Sequence, residues 1–202
     1  MSLTHEIYRK FLHFLLILIP VAFVVFGKWK TLLILAPLTT AIVSLDYMRR
    51  NNDKVKNIFN QIFGIILREH EIDGGKLCGA SWVFLGACVN FFFFKTEIAV
   101  SGFLILVISD ALSALLGKSY PSQPFFEKSL LGSLAFFVSA VVILISCGIY
   151  FDSRFWFYFF GIFCVFFVTI VEARPSFIGI DDNFTIPIIF GSLMTAFDFM
   201  WS

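Results

Sequence analysis

Seven apolar segments divided by short polar connections constrain this chain more than any other feature. They run at about Phe11–Phe26, Thr31–Leu45, Leu77–Phe94, Ile98–Leu116, Leu130–Phe151, Phe155–Val171 and Phe184–Trp201. Where water is absent, every backbone N–H and C=O must find its partner within the protein, and a helix achieves this inside a single segment. Crossing the hydrocarbon takes roughly 20 residues, so the shorter segments are expected to tilt or to extend into their flanks. With 59% hydrophobic and 14% charged residues, the chain has too little charge to cover a soluble domain of 202 residues. The expectation is an all-α fold, a polytopic membrane helical bundle of about seven transmembrane helices forming one domain over residues 1–202. Ile58–Leu67 is apolar on one side only and reads as a helix lying in the interface.

Charge sets the expected orientation. Of the fifteen lysines and arginines, only Lys28, Lys30, Lys95 and Arg154 fall on one side of the predicted spans. The positive-inside rule then puts the N-terminus in the cytoplasm and the C-terminus outside, in the plasma (inner) membrane if the cell is bacterial. A net charge of +1 offers no basic stripe for nucleic acid. Cys78, Cys88, Cys147 and Cys164 lie in apolar runs without CxxC spacing and read as small core residues. Twenty-nine phenylalanines suit a surface that faces lipid. The first apolar run lacks a small-residue cleavage pattern, so it reads as a span and not as a cleavable signal.

Asp110 interrupts the fourth segment. A carboxylate at the centre of a span costs roughly 2.5–3.5 kcal/mol, so it is kept where it binds or transfers something. Asp110, Ser113 and Gly117 stand at i, i+3 and i+7, one small polar face that should point into the bundle. Such a carboxylate can hold magnesium or accept an alcohol proton; the competing reading is an interhelical hydrogen bond. Lys118 follows about two turns on, roughly 12 Å away. The loop to Lys128 is stiffened by Pro121 and Pro124, and its two lysines suit phosphate oxygens, or alternatively anionic lipid. Ser129 and Gly132 open the next helix, where backbone amides favour anions.

Farther on, Asp182 or Asn183 is expected to cap the last helix. Two adjacent aspartates, Asp181 and Asp182, exceed what a cap needs and suit magnesium shared with substrate phosphates. Glu69-His70-Glu71 is too compact to be a zinc site, Trp82 reads as an interfacial anchor, and Glu6, Arg9, Lys10 and His13 share one helical face. All these polar clusters fall at the cytoplasmic ends of the predicted spans.

Asp110-x-x-Ser113-x-x-x-Gly117-Lys118, Lys128-Ser129-x-x-Gly132 and Asp181-Asp182-Asn183-x-Thr185-x-Pro187 together resemble the polyprenol kinase family. That family includes dolichol kinase, phytol kinase and the CTP-dependent diacylglycerol kinases. Glu6-x-x-Arg9-Lys10-x-x-His13 and Gly79-Ala80-Ser81-Trp82 are similar to it as well, so the likeness covers nearly the whole chain. The chain departs at Glu127 and Leu131, where the family usually carries a lysine and an acid. The resemblance implies an enzyme that transfers phosphate from a nucleoside triphosphate, CTP, to a lipid alcohol. It implies catalytic roles for Asp110, Lys118 and Lys128, nucleotide contacts at Gly117, Ser129, Gly132 and Asn183, and Mg2+ held by Asp110 and Asp182. The rival readings are phosphatidate cytidylyltransferase-like synthesis of CDP-lipid, whose Gly-His/Arg-Gly-Gly-x-x-Asp-Arg run is absent here, and a non-catalytic transporter or structural protein.

Overall fold

The computed structural model of the chain describes residues 9, 11–63, 67, 71, 76–120 and 122–201. Expectations attached to Glu6, Lys10, Arg68, Glu69, His70 and Pro121 lie outside the described residues. Among the described residues eight helices follow one another: α1 (Phe11–Phe26, with a 3-10 turn at Leu15–Ile17), α2 (Lys28–Asn51), α3 (Asp53–Phe63), α4 (Gly79–Phe93), α5 (Thr96–Ser119), α6 (Leu130–Tyr150), α7 (Phe155–Glu172) and α8 (Asp182–Trp201). A hairpin of two short strands, β1 (Pro124–Phe125) and β2 (Lys128–Ser129), is the exception to the all-α expectation.

All seven apolar segments are helical, and they divide by length. Five helices, α2, α5, α6, α7 and α8, are long and apolar enough to cross a membrane; α1 and α4 are apolar but shorter. The chain is thus a membrane-type helical bundle. Helix α2 runs past the apolar segment that announced it, to Asn51, because Asp46 and Arg49 beyond that segment are buried as a pair. The one-sided segment after it is helical as far as Phe63, in α3, which begins five residues earlier than expected, at Asp53.

Helix α5 is the centre of the bundle. Of its most apolar stretch 72% is buried, against 28–39% for the other four long helices. It packs on α6 and α8, and α6–α7–α8–α4–α2 continue around it by successive contacts. The outer surface is apolar: Leu33, Ile34, Val138, Val142 and Phe159, Phe163, Phe166 and Phe167 of α7 are all exposed. A continuous apolar exterior of this kind marks a surface covered by lipid.

Two glycine crossings set the helix spacing near the polar end. A Cβ on Gly117 would lie 2.6 Å from Ser129 Oγ, and one on Gly132 3.0 Å from the Ser113 carbonyl oxygen, so α5 and α6 touch backbone to backbone. Gly117→Ala is therefore expected to push these helices apart and destabilise by about 1–3 kcal/mol, read as a lower melting temperature in detergent; an unchanged melting temperature would refute the crossing. At the second crossing, Pro187 inside α8 has no N–H for the Asn183 carbonyl. That carbonyl turns towards α4, where a Cβ on Gly86 would meet it at 2.8 Å.

The opposite end carries the other charges. Lys95 pairs with Asp198 at 2.6 Å, which gives that acid a partner the sequence did not suggest. The pair borders an open cavity of about 430 Å³ with Glu97, Asp152 and Arg154. Lys28 lies against the Phe92 ring, 5.7 Å from its centroid, close to the same end.

Candidate functional site

Lys128 is the hub of the polar end. Ser129 caps α6, its Oγ accepting the Gly132 N–H at 3.1 Å, and β1 pairs Phe125 with Lys128 one residue earlier. The turn between the strands holds Phe126 at φ 53°, a left-handed conformation that a bulky residue adopts only when its surroundings enforce it. From this frame Lys128 Nζ donates to Glu172 Oε1 at 2.5 Å and to Asp182 Oδ2 at 3.2 Å. Ser113 Oγ, from α5, donates to the same Glu172 oxygen at 2.9 Å. Residues 44, 54 and 59 positions apart are thereby joined. The hairpin is also moored to the α7–α8 connection: Glu127 N–H donates to the Ala173 carbonyl at 3.0 Å, and the Ser176 hydroxyl donates to the Glu127 carboxylate. Glu127, one of the two departures from the family pattern, thus serves as a docking residue.

Burial by itself would pull the Lys128 ammonium down, but the charges of Asp182, Glu172 and Asp110 push it above the ordinary lysine value of 10.5. A raised value means that the lysine's contribution to stability is complete below 10.5 and is lost as pH climbs past its folded value. The melting-temperature difference between wild type and Lys128→Met is therefore expected to shrink above about pH 10, where the wild-type lysine begins to lose its contribution. A difference that does not change from about pH 9 to 11.5 would contradict this.

The other predicted site residues divide into two groups. Asp110, 9% exposed, stands directly after a π-helical turn at Ile105–Ser109, a break in the helix ladder of the kind found at functional sites. Its charge acts on Lys128, and it also lines a cavity on the α1–α4 side. Asp182 reaches Lys128 because Asp181, not Asp182 or Asn183, caps α8. Asp181 Oδ1 accepts the Asn183 backbone N–H at 3.0 Å and its Nδ2 at 2.6 Å. This corrects the expected cap by one residue and leaves Asp182 to face inward. Ser129, Gly117 and Gly132 have the structural work described above; the Gly132 amide, expected to meet an anion, meets the Ser129 hydroxyl. Lys118 is exposed in the last turn of α5.

The cavity that shares Asp110 measures about 380 Å³. Its walls are apolar, from Leu12 and Leu16 of α1, Ile42 and Leu45 of α2, and Val83 and Phe84 of α4. Its polar residues are Arg9, His13, Glu71, Asp110 and Asn183. His13 Nε2 meets the carbonyl oxygen of Leu106, inside the π-helical turn, at 3.5 Å. Leu12 and Leu45 are 40% and 52% exposed, so the cavity borders the apolar exterior between α1 and α2.

Sequence reasoning missed the neighbouring network. Asp46 and Arg49 form a buried 2.5 Å ion pair in α2, yet Arg49 was counted only for orientation. An acid and an arginine at i, i+3 just past an apolar run was the signal available. Glu172, which the sequence offers with Asp110 and Asp181 as a possible general base, gave no sign that it would be fully buried against Lys128.

A magnesium ion implied by the resemblance can be tested against these residues. Among the described residues no three His, Cys, Asp or Glu side chains form a ready-made ligand set. Magnesium seldom needs one, since it takes one or two carboxylates and completes its shell with substrate phosphates and water. Two carboxylates here share one ammonium, and among the described residues the buried Glu172 Oε2 has no hydrogen-bond partner. That surplus of anionic oxygen fits a divalent cation arriving with a phosphate ligand.

The chain is similar to the uncharacterized protein RP860 of Rickettsia prowazekii (strain Madrid E), with 32% identity over 193 residues, 95% of this chain and 94% of that protein. The chain belongs to the family of that protein. No family model matches the chain, and no solved structure matches it.

Proposed function

We propose that this chain is a membrane-embedded lipid-alcohol kinase of the polyprenol kinase type, transferring a phosphoryl group from a nucleoside triphosphate, CTP, to a diacylglycerol or a polyprenol- or phytol-type hydroxyl. In this reading α1 and α4 also cross, giving seven spans, with the N-terminus and the Lys128 end in the cytoplasm. The observation that carries it is the position of Asp110, which lines an apolar cavity open towards lipid and stands one helical turn from Ser113, whose hydroxyl is bonded to Glu172 of the Lys128 cluster. A kinase for a lipid alcohol needs those two environments to meet at one carboxylate.

The proposed chemistry uses the chain's own groups. Phosphoryl transfer depends mainly on positioning and charge neutralisation. The acceptor hydroxyl lies in the cavity at Asp110, which takes its proton as the new O–P bond forms. The bond from the transferred phosphorus to the bridging oxygen breaks, and the nucleoside diphosphate leaves. Two other candidate bases are disfavoured: Glu172 is fully buried, with its Oε1 engaged by Ser113 and Lys128, and Asp181 caps α8. Lys128 and the exposed Lys118 neutralise phosphate charge. Asp110 and Asp182 would hold magnesium, which when bound supplies further charge neutralisation on the phosphates.

Purified protein in lipid nanodiscs, given labelled CTP or ATP with diacylglycerol, polyprenol and phytol in turn, tests the proposal. Phospholipid plus nucleoside diphosphate is the expected product. CDP-lipid with pyrophosphate would replace the reading by a cytidylyltransferase, and no turnover with any pair would leave a non-catalytic membrane protein.

A further inference from the structure

The Asp46–Arg49 pair has no part in the proposed transfer, yet it is the most completely buried ion pair among the described residues, at 0% and 1% exposure. Asp46 Oδ2 accepts the Cys78 N–H at 2.7 Å and the Ser81 hydroxyl at 2.6 Å, both donors at the start of α4. Arg49 Nη1 donates to the Glu71 main-chain carbonyl at 2.8 Å, and its guanidinium stacks 4.6 Å from the Phe59 ring centroid on α3. Glu71, 3% exposed, lines the cavity with Asp110, and its Oε1 accepts the Gly79 N–H at 2.8 Å. The pair therefore grips Glu71 from two directions. Arg49 holds its main chain, and Asp46 holds the Cys78–Gly79 turn whose amide anchors its carboxylate.

A buried ion pair is a poor source of net stability compared with apolar side chains of the same size. Its retention here is explained by what it holds in place. A carboxylate offers about four acceptor positions, so Glu71 can receive a ligand hydroxyl beside the Gly79 amide and its other partners. We propose that Glu71 is a second acceptor-binding carboxylate, receiving a headgroup hydroxyl in the cavity it shares with Asp110, and that Asp46 and Arg49 are positioning residues for it. The turnover part of this inference rests on the kinase reading; the binding part does not.

The test uses the full chain in nanodiscs with a diazirine-tagged hexadecanol as photoprobe, alongside the kinase assay. Glu71→Gln keeps an acceptor for the Gly79 amide, so folding should persist. Photolabelling and the KM for the lipid acceptor are expected to worsen by roughly tenfold or more, with the donor KM unchanged. Arg49→Met alone should lower the melting temperature, because Asp46 is left buried and unpaired. The Asp46→Asn/Arg49→Met double variant should regain most of that temperature while its labelling stays impaired like that of Glu71→Gln. Wild-type labelling in Glu71→Gln, or a double variant that recovers labelling along with its melting temperature, overturns the inference. Labelling lost in Glu71→Gln with no turnover by the wild type would retain the site and end the kinase reading.

Discussion

Replacing Asp110 by Asn is expected to cut phosphoryl transfer by about 10²- to 10⁴-fold, the usual contribution of a positioned general base. Asn keeps the size of the side chain and some of its hydrogen bonding but can neither accept the proton nor hold a cation. The bundle should tolerate the change, since a neutral amide costs less than a carboxylate on the buried face of an apolar helix. Turnover in nanodiscs and the melting temperature should therefore separate: the first collapses and the second stays level or rises slightly. A variant that turns over at the wild-type rate would remove the proposed mechanism, because Asp110 is the group common to the cavity and the lysine cluster.

Lys128→Met is expected to damage both stability and transfer. Lys128 is 26% exposed, while its partners Glu172 and Asp182 are 0% and 15% exposed, and Asp110 adds a third nearby charge. Taking away one partner of a buried pair typically costs about 3–5 kcal/mol, because the remaining charge is left without compensation. The stability loss should be largely repaired by adding Glu172→Gln, which removes the most deeply buried of those charges. Transfer should not return in that double variant, because the cation for the phosphate is still missing. Recovery of both together would make Lys128 a purely structural residue. A single variant that melts with the wild type would show that the cluster carries no stability.

Much of this was legible before the fold was known. The helical character of the apolar segments and the inward face of Asp110 and Ser113 follow from periodicity and from the cost of polar groups among apolar ones; Lys128 stood out as one of two lysines flanking a proline-stiffened loop. Length was less legible. α4 is a short helix because Cys78 and Phe94, which bound it, adopt extended backbone conformations, and hydropathy does not report where a chain turns.

By itself the sequence determined that the chain forms apolar helices with charged residues at their ends and Asp110 set into one of them, because spacing along a helix and hydrophobicity are local properties of neighbouring residues. Tertiary structure alone decided which acids meet which cations: Glu172 with Lys128, Asp46 with Arg49, and Asp181 as the cap that leaves Asp182 turned inward. The cluster's contacts join residues 44 to 59 positions apart. They depend on how closely α5 and α6 approach at Gly117 and Gly132, a distance set by the packing of whole helices and written in no single segment.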